Sequence, residues 1–417
     1  MRVDTFKCRA CGATAPAKAN YVCSECFGPM GVVLDHAAIA RTLSRDAIAA
    51  RGKNLWRYHE VLPVAEPGRI GPESGFTPLL RAERLGRALG HDDLWVKDDS
   101  VNHPTCSYKD RVVPVAMSRA IELGYTTVSC ASTGNLGNSV SAHAARAGLR
   151  CVIFIPEGLE QGKVIGCAIY RPTLVAVRGN YDHVNRLCTE LAERHPWAFI
   201  NVNMRPYYVE GAKTMGWEIA EQLGWRLPLH CVLPTAGGTL LPKVAEAFRE
   251  TVRYGCVADP GHAVRIYTAQ AAGSAPVVRA LHAGAERIEP VKPNTIAKSI
   301  AIGNPADGPD VLHEVRASEG WGDVATDDEI VAGISLLAET EGIFTEPAGG
   351  TTTAVAKKLI ASGRIPRSET CVIAITGNGY KTQEAVAEAA RPAAVVDPKV
   401  SAVESALKGI EGWGDLR

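Results

Sequence analysis

Thr127-Val128-Ser129-Cys130-Ala131-Ser132-Thr133-Gly134-Asn135-Leu136-Gly137-Asn138 passes from a β-rich apolar run, through a loop of small polar residues, into a helical stretch that continues to Ala147. A short apolar run bounded by turn residues reads as a buried strand, and the stretch after it has helical length. The same change recurs along the chain. β-rich runs at 94–96, 127–131, 151–155, 174–177, 198–202, 231–233, 266–269 and 372–375 alternate with helical stretches such as 112–123 and 136–147. The alternation predicts an α/β fold with parallel sheets covered on both faces. Ligands in such folds bind at the carboxyl ends of strands. Three loops rich in Gly, Thr and Asn stand there: 132–138, Thr235-Ala236-Gly237-Gly238-Thr239, and Thr376-Gly377-Asn378-Gly379.

Lys109 lies in Pro104-Thr105-Cys106-Ser107-Tyr108-Lys109-Asp110-Arg111, a small-residue turn ahead of a helix. A lysine there can form a Schiff base if burial or a nearby cation keeps its amine neutral, and Arg111 is a candidate cation. One such lysine with three strand-end loops points to pyridoxal phosphate. Free N–H groups where 132–138 opens a helix attract anions, and the Asn135 amide can donate to a phenolate oxygen. The small residues Ala236, Gly237, Gly238 and Thr239 let backbone N–H groups approach a phosphate. The Thr376 hydroxyl can bond a pyridine nitrogen without protonating it. Each loop alone reads equally well as an ordinary turn or helix cap. A further run, 348–353, precedes a helix and packs against the cofactor domain.

Cys8-x2-Cys11 and Cys23-x2-Cys26 have the spacing of a tetrahedral four-thiolate site, which suits structural zinc. Four free thiols are the alternative. The other eight of the twelve cysteines are scattered, several of them in apolar runs where thiols act as small hydrophobes. In 417 residues there are 45 basic and 45 acidic side chains. That balance argues against a nucleic-acid partner. No apolar run approaches the roughly 18 residues of a membrane span, and the start of the chain lacks a signal-peptide layout. A cytoplasmic location is expected.

Together these motifs resemble the threonine synthase family of fold-type II pyridoxal-phosphate enzymes, some of which start with a cysteine-rich segment. The resemblance runs from the cysteine pairs to Gly377-Asn378-Gly379-Tyr380-Lys381-Thr382. It also takes in Gly162-Lys163, Glu210-Gly211-Ala212-Lys213-Thr214 and Ala301-Ile302-Gly303-Asn304-Pro305. It implies a tryptophan synthase β-like fold: a ribbon at 1–30, a large cofactor domain from 31–120 and 216–417, and a smaller mobile domain at 121–215. It implies that Lys109 carries the cofactor, Asn135 binds its phenolate oxygen, Thr376 faces its ring nitrogen and Ala236–Thr239 holds its phosphate. Ser132 and Thr133 would receive the substrate carboxylate, and Lys163 and Arg205 the phosphate of O-phosphohomoserine. A homodimer is implied as well. Tyr208 stands where many members have an arginine thought to grip that phosphate, Cys106 where Gly is common, and Tyr108 where Phe is common. The altered grip leaves open a related β-replacement enzyme acting on phosphoserine, similar to cysteate synthases. A zinc-ribbon nucleic-acid-binding protein with an inactive enzyme domain is the non-enzymatic alternative.

Overall fold

The computed structural model describes residues 3–132, 134–258, 261–408 and 410. Its larger sheet runs Gly322–Ala325, Arg265–Ala271, His230–Pro234, Cys371–Ile375, Leu94–Asp98, Leu79–Arg81. Every neighbouring pair is parallel except the last, where Leu79–Arg81 forms an antiparallel edge. His230–Pro234 and Cys371–Ile375 are buried at every position, as central strands covered on both faces must be. The smaller sheet runs Thr173–Val177, Arg150–Pro156, Thr127–Ala131, Ala198–Phe199, all parallel. At the N-terminus, Thr14–Pro16, Thr5–Cys8 and Met30–Val32 form a three-stranded antiparallel sheet. Residues from Gln383 onward form a separate unit, whose described residues include the α-helix Val400–Lys408.

Two sequence expectations change. The run 198–202 leaves the sheet after Phe199 because Asn201 turns its amide onto the neighbouring strand. Its Oδ1 accepts from Ala131 N (3.2 Å) and its Nδ2 donates to Ala131 O (3.1 Å), so a side chain satisfies the backbone groups a longer strand would have paired. The run 348–353 does not precede a helix. It lies inside one, Pro347–Ala361. Pro347 sits at the start, where its missing N–H costs nothing. The hydroxyls of Thr351, Thr352 and Thr353 donate to carbonyls one turn back. Gly350 is required by contact, since a Cβ there would lie 2.5 Å from the Ile330 carbonyl of helix Asp327–Glu341.

The helix Lys109–Glu122 starts on a buried carboxylate. Asp110 accepts from Thr105 N (2.9 Å), Thr105 Oγ1 (2.9 Å) and Ser139 Oγ (2.6 Å). It thereby fixes the preceding turn and complements the helix dipole. Arg111 points into the core, not toward Lys109. Its guanidinium is fully buried, paired with Asp99 (2.6 Å) and with Glu218 (2.5 Å), so it is not the cation that the sequence offered to Lys109.

Candidate active site

Lys109, Ser132, Asn135, Tyr208, the 235–239 loop and Thr376 line one cavity of about 410 Å³. The Lys109 loop is fastened to the Thr376 loop by Tyr108 N donating to Thr376 O (3.0 Å) and Asn378 N donating to Cys106 O (3.1 Å). Lys109 Nζ donates to Tyr108 Oη (2.7 Å) and Tyr208 Oη (2.8 Å). Burial, then the neighbouring Tyr108, push the Tyr208 phenol well above its usual pKa, against a smaller pull from Arg205. Tyr208 therefore stays protonated, a hydroxyl in reach of the amine.

Three features of this cavity suit a phosphorylated aromatic aldehyde. The amine of Lys109 faces it. Helix Leu240–Arg253 begins at Thr239 with no side-chain cap, leaving its first N–H groups for an anion. Gly237 opens onto free space, and Gly238, at φ +93°, passes so close to Asp307 that a Cβ would lie 2.7 Å from its carbonyl carbon. The Thr376 hydroxyl has no hydrogen-bond partner among the described residues, so it is available to a ligand nitrogen.

Other predicted residues are placed differently. Ser132 Oγ accepts from Gly134 N (2.9 Å) and Gly137 N (2.7 Å). It caps the helix Asn135–Ala147 from outside and keeps its own hydrogen for a ligand. Thr133 lies outside the described residues. Lys163 does not line the cavity. It is buried behind the turn with Nζ on Glu160 (3.1 Å), and its Cδ would lie 2.1 Å from a Cβ at Gly134.

Two carboxylates in the cavity were not picked out from the sequence. Glu346, 1% exposed, accepts from Asn135 Nδ2 at 2.9 and 3.0 Å, and Asn135 Oδ1 is buried without a partner. Asp307 accepts from Arg205 (2.5 Å), Arg9 (2.9 Å) and Thr239 Oγ1 (3.0 Å). Burial works to raise its pKa, but Arg205 and Arg9 prevail and hold the carboxyl below its usual range. A signal for Glu346 existed: a carboxylate directly before Pro347, in an otherwise uncharged 343–356 run.

The sulfurs of Cys8, Cys11, Cys23 and Cys26 lie within 4.8 Å of one another, with Cys8–Cys26 at 3.5 Å and Cys11–Cys23 at 3.8 Å. Thiolates on a tetrahedral ion with bonds of about 2.3 Å would be about 3.8 Å apart. The N–H groups of Glu25 and Gly28 also point at Cys23 and Cys26 sulfurs, both at 3.4 Å. The cluster can hold a metal ion.

Residues 70–377 match the family model for pyridoxal-phosphate dependent enzymes. Among curated proteins, the chain is 35% identical to a threonine synthase of Methanocaldococcus jannaschii, over 96% of this chain and 99% of that one. It is 35% identical to another from Methanosarcina acetivorans, over 97% and 98%. Against one from Halalkalibacterium halodurans it is 36% identical, over 78% and 89%. Solved structures include a fungal L-serine ammonia-lyase from Rhizomucor miehei, with a TM-score of 0.64 at 19% identity over 76% of this chain and 99% of that one. A processed threonine deaminase isoform 2 from Solanum lycopersicum has a TM-score of 0.62 at 20% identity, over 82% and 96%. These structural likenesses establish the fold, that of fold-type II enzymes.

Proposed function

Because the chain belongs to the pyridoxal-phosphate-dependent enzymes and, within them, to the threonine synthase family, we propose that it converts O-phospho-L-homoserine and water into L-threonine and inorganic phosphate. The observation that carries this reading is the shared cavity: the Lys109 amine, held by two tyrosines, opens onto the same space as an uncapped helix start. The cofactor, when bound, supplies an electron sink beside the substrate's amino group. Gly237, Gly238 and Thr239 hold its phosphate, with Ala236 shaping the approach. Thr376 bonds its ring nitrogen, and Asn135 its phenolate oxygen if Glu346 yields part of the amide.

Lys109 Nζ would hold the cofactor, and its amine moves protons at Cα and then Cβ of the substrate. Tyr208 Oη, 2.8 Å away, orients that amine through each transfer. Ser132, with Thr133, takes the substrate carboxylate, and Arg205 the phosphoryl group that leaves from Cγ. Lys163 reaches the phosphoryl group only if the turn at Gly134 shifts. Residues 121–215 close over the substrate, since water must wait until it adds at Cβ. Zinc is the proposed metal at Cys8, Cys11, Cys23 and Cys26, with a structural role because four thiolates leave no open position. The family reading further makes the enzyme a cytoplasmic homodimer.

The test is to incubate the cofactor-loaded protein with O-phosphohomoserine and measure threonine and inorganic phosphate together. Equal appearance of both is expected, abolished in Lys109→Ala, which also loses cofactor trapping by borohydride. A yellow, folded enzyme that leaves O-phosphohomoserine untouched would overturn the substrate. Sulfite-dependent release of phosphate from phosphoserine would then establish the β-replacement reaction.

A further inference from the structure

The cysteine ribbon is part of the cavity wall. Arg9, Tyr21, Val22, Phe27, Pro29 and Met30 line the same space as Lys109 and Thr376. Arg9 lies between two of the clustered cysteines, Cys8 and Cys11. Its backbone N–H is fixed on Pro29 O (3.0 Å). Its guanidinium reaches about 300 residues along the chain to Asp307 (2.9 Å) and also contacts Asp310. Asp307 is at the same time the partner of Arg205 and of Thr239 at the helix start. The ribbon also packs on the helix that carries Arg205 and Tyr208: Phe6 lies 5.2 Å from the Tyr207 ring, and Tyr207 Oη donates to Lys18 O (3.3 Å).

The charges give this arrangement its meaning. With one guanidinium, Asp307 would neutralise Arg205 and leave no net charge for an anion. With two, the Asp307 carboxylate is shared: Arg9, Asp307 and Arg205 line the cavity, whereas Asp310, which Arg9 also meets, does not, and Arg205 Nε and Nη1 make no hydrogen bond among the described residues. Meanwhile Tyr208, on the same helix as Arg205, serves Lys109. We propose that Arg9, presented by the four-cysteine ribbon, is a specificity-determining residue: it offsets Asp307 so that Arg205 can bind the substrate's phosphoryl group. The ribbon is therefore a part of the substrate site and not an appendage. This rests on the reading of the substrate as a phosphorylated amino acid.

The experiment compares wild type, Arg9→Gln, Arg9→Lys and the double variant Arg9→Gln/Asp307→Asn, all cofactor-loaded. The readouts are KM and kcat for O-phosphohomoserine, the inhibition constant of inorganic phosphate, and the cofactor absorbance. Arg9→Gln is expected to raise KM and the phosphate inhibition constant together, by roughly ten- to a hundredfold, the range for one charge-assisted contact. kcat and absorbance should change far less. Arg9→Lys should recover part of the loss, and Asp307→Asn should rescue Arg9→Gln, because it removes the charge that Arg9 offsets. A KM and phosphate constant unmoved in Arg9→Gln, in an enzyme that turns over the substrate, would overturn the role of Arg9 and leave the activity standing. So would failure of the double variant to recover. If wild type turns over only another phosphorylated amino acid, the substrate reading fails, while the shift in the phosphate constant still decides the role of Arg9.

Discussion

Tyr208 shows how one residue's role depends on what surrounds it. Its phenol is buried, protonated, and 2.8 Å from Lys109 Nζ, so it serves the amine that moves the proton. Tyr208→Phe removes that bond while keeping the ring. Its kcat is expected to fall roughly tenfold or more, the size of a lost hydrogen bond to a charged group, with cofactor binding retained. Steady-state kinetics with a cofactor absorbance scan checks this. Cys106 adopts φ +57°. A left-handed conformation costs an L-residue roughly 1–2 kcal/mol. Cys106 already bears that cost, so Cys106→Gly should hold or raise stability toward denaturant, whereas Cys106→Val, β-branched and still less suited to a positive φ, should lower it.

Among the elements, the helix start at Leu240 and the Gly238 turn before it act as a unit. Gly238→Ala puts a methyl group against the Asp307 backbone at a positive φ. The turn must shift to admit it, and the N–H groups of the helix start shift with it. The expected result is weaker pyridoxal phosphate affinity, seen as cofactor loss on dialysis, with an unchanged far-ultraviolet spectrum. The cysteine ribbon is the second such unit. Cys11→Ser breaks the four-thiolate set, so metal content by elemental analysis should drop, and the inhibition constant of inorganic phosphate should rise in the same direction as in Arg9→Gln.

At the scale of the molecule, the catalytic helix rests on a buried ion network of Lys97, Asp99, Arg111 and Glu218. Burial alone would raise the Glu218 pKa, but Arg111 and Lys97 outweigh it and hold the carboxyl at about 2, below its ordinary 4.5. A carboxyl depressed in the folded state stabilises fully above its unfolded pKa and loses that contribution as pH falls through the folded one. Its share of stability is thus complete above pH 4.5 and fades toward pH 2. Glu218→Gln leaves two buried cations short of a partner and should cost about 3–5 kcal/mol at neutral pH. Denaturant titrations at pH 7 and pH 3 should show the gap between variant and wild type narrowing in acid.

The chain order of strands and helices was legible in local pattern. Apolar runs such as 127–131 and 372–375 became strands with the same limits or nearly so, because continuous burial on two faces leaves a continuous apolar run. That Lys109, Asn135, the 236–239 loop and Thr376 would stand at strand ends around one cavity was legible too, since strand-end loops need small and polar residues whatever they bind. The 348–353 run misled because Gly and Thr mark turns by local propensity, whereas here a helix crossing required small side chains. The partnerships were not legible. Asp307 meets Arg9 and Arg205, Glu346 meets Asn135, and Arg111 turns from Lys109 to Glu218 across separations of 100 residues or more. Local sequence sets which backbone states a segment prefers. Which buried charges end as neighbours follows from the packing of distant segments, where leaving one unpaired costs more than any local preference can offset.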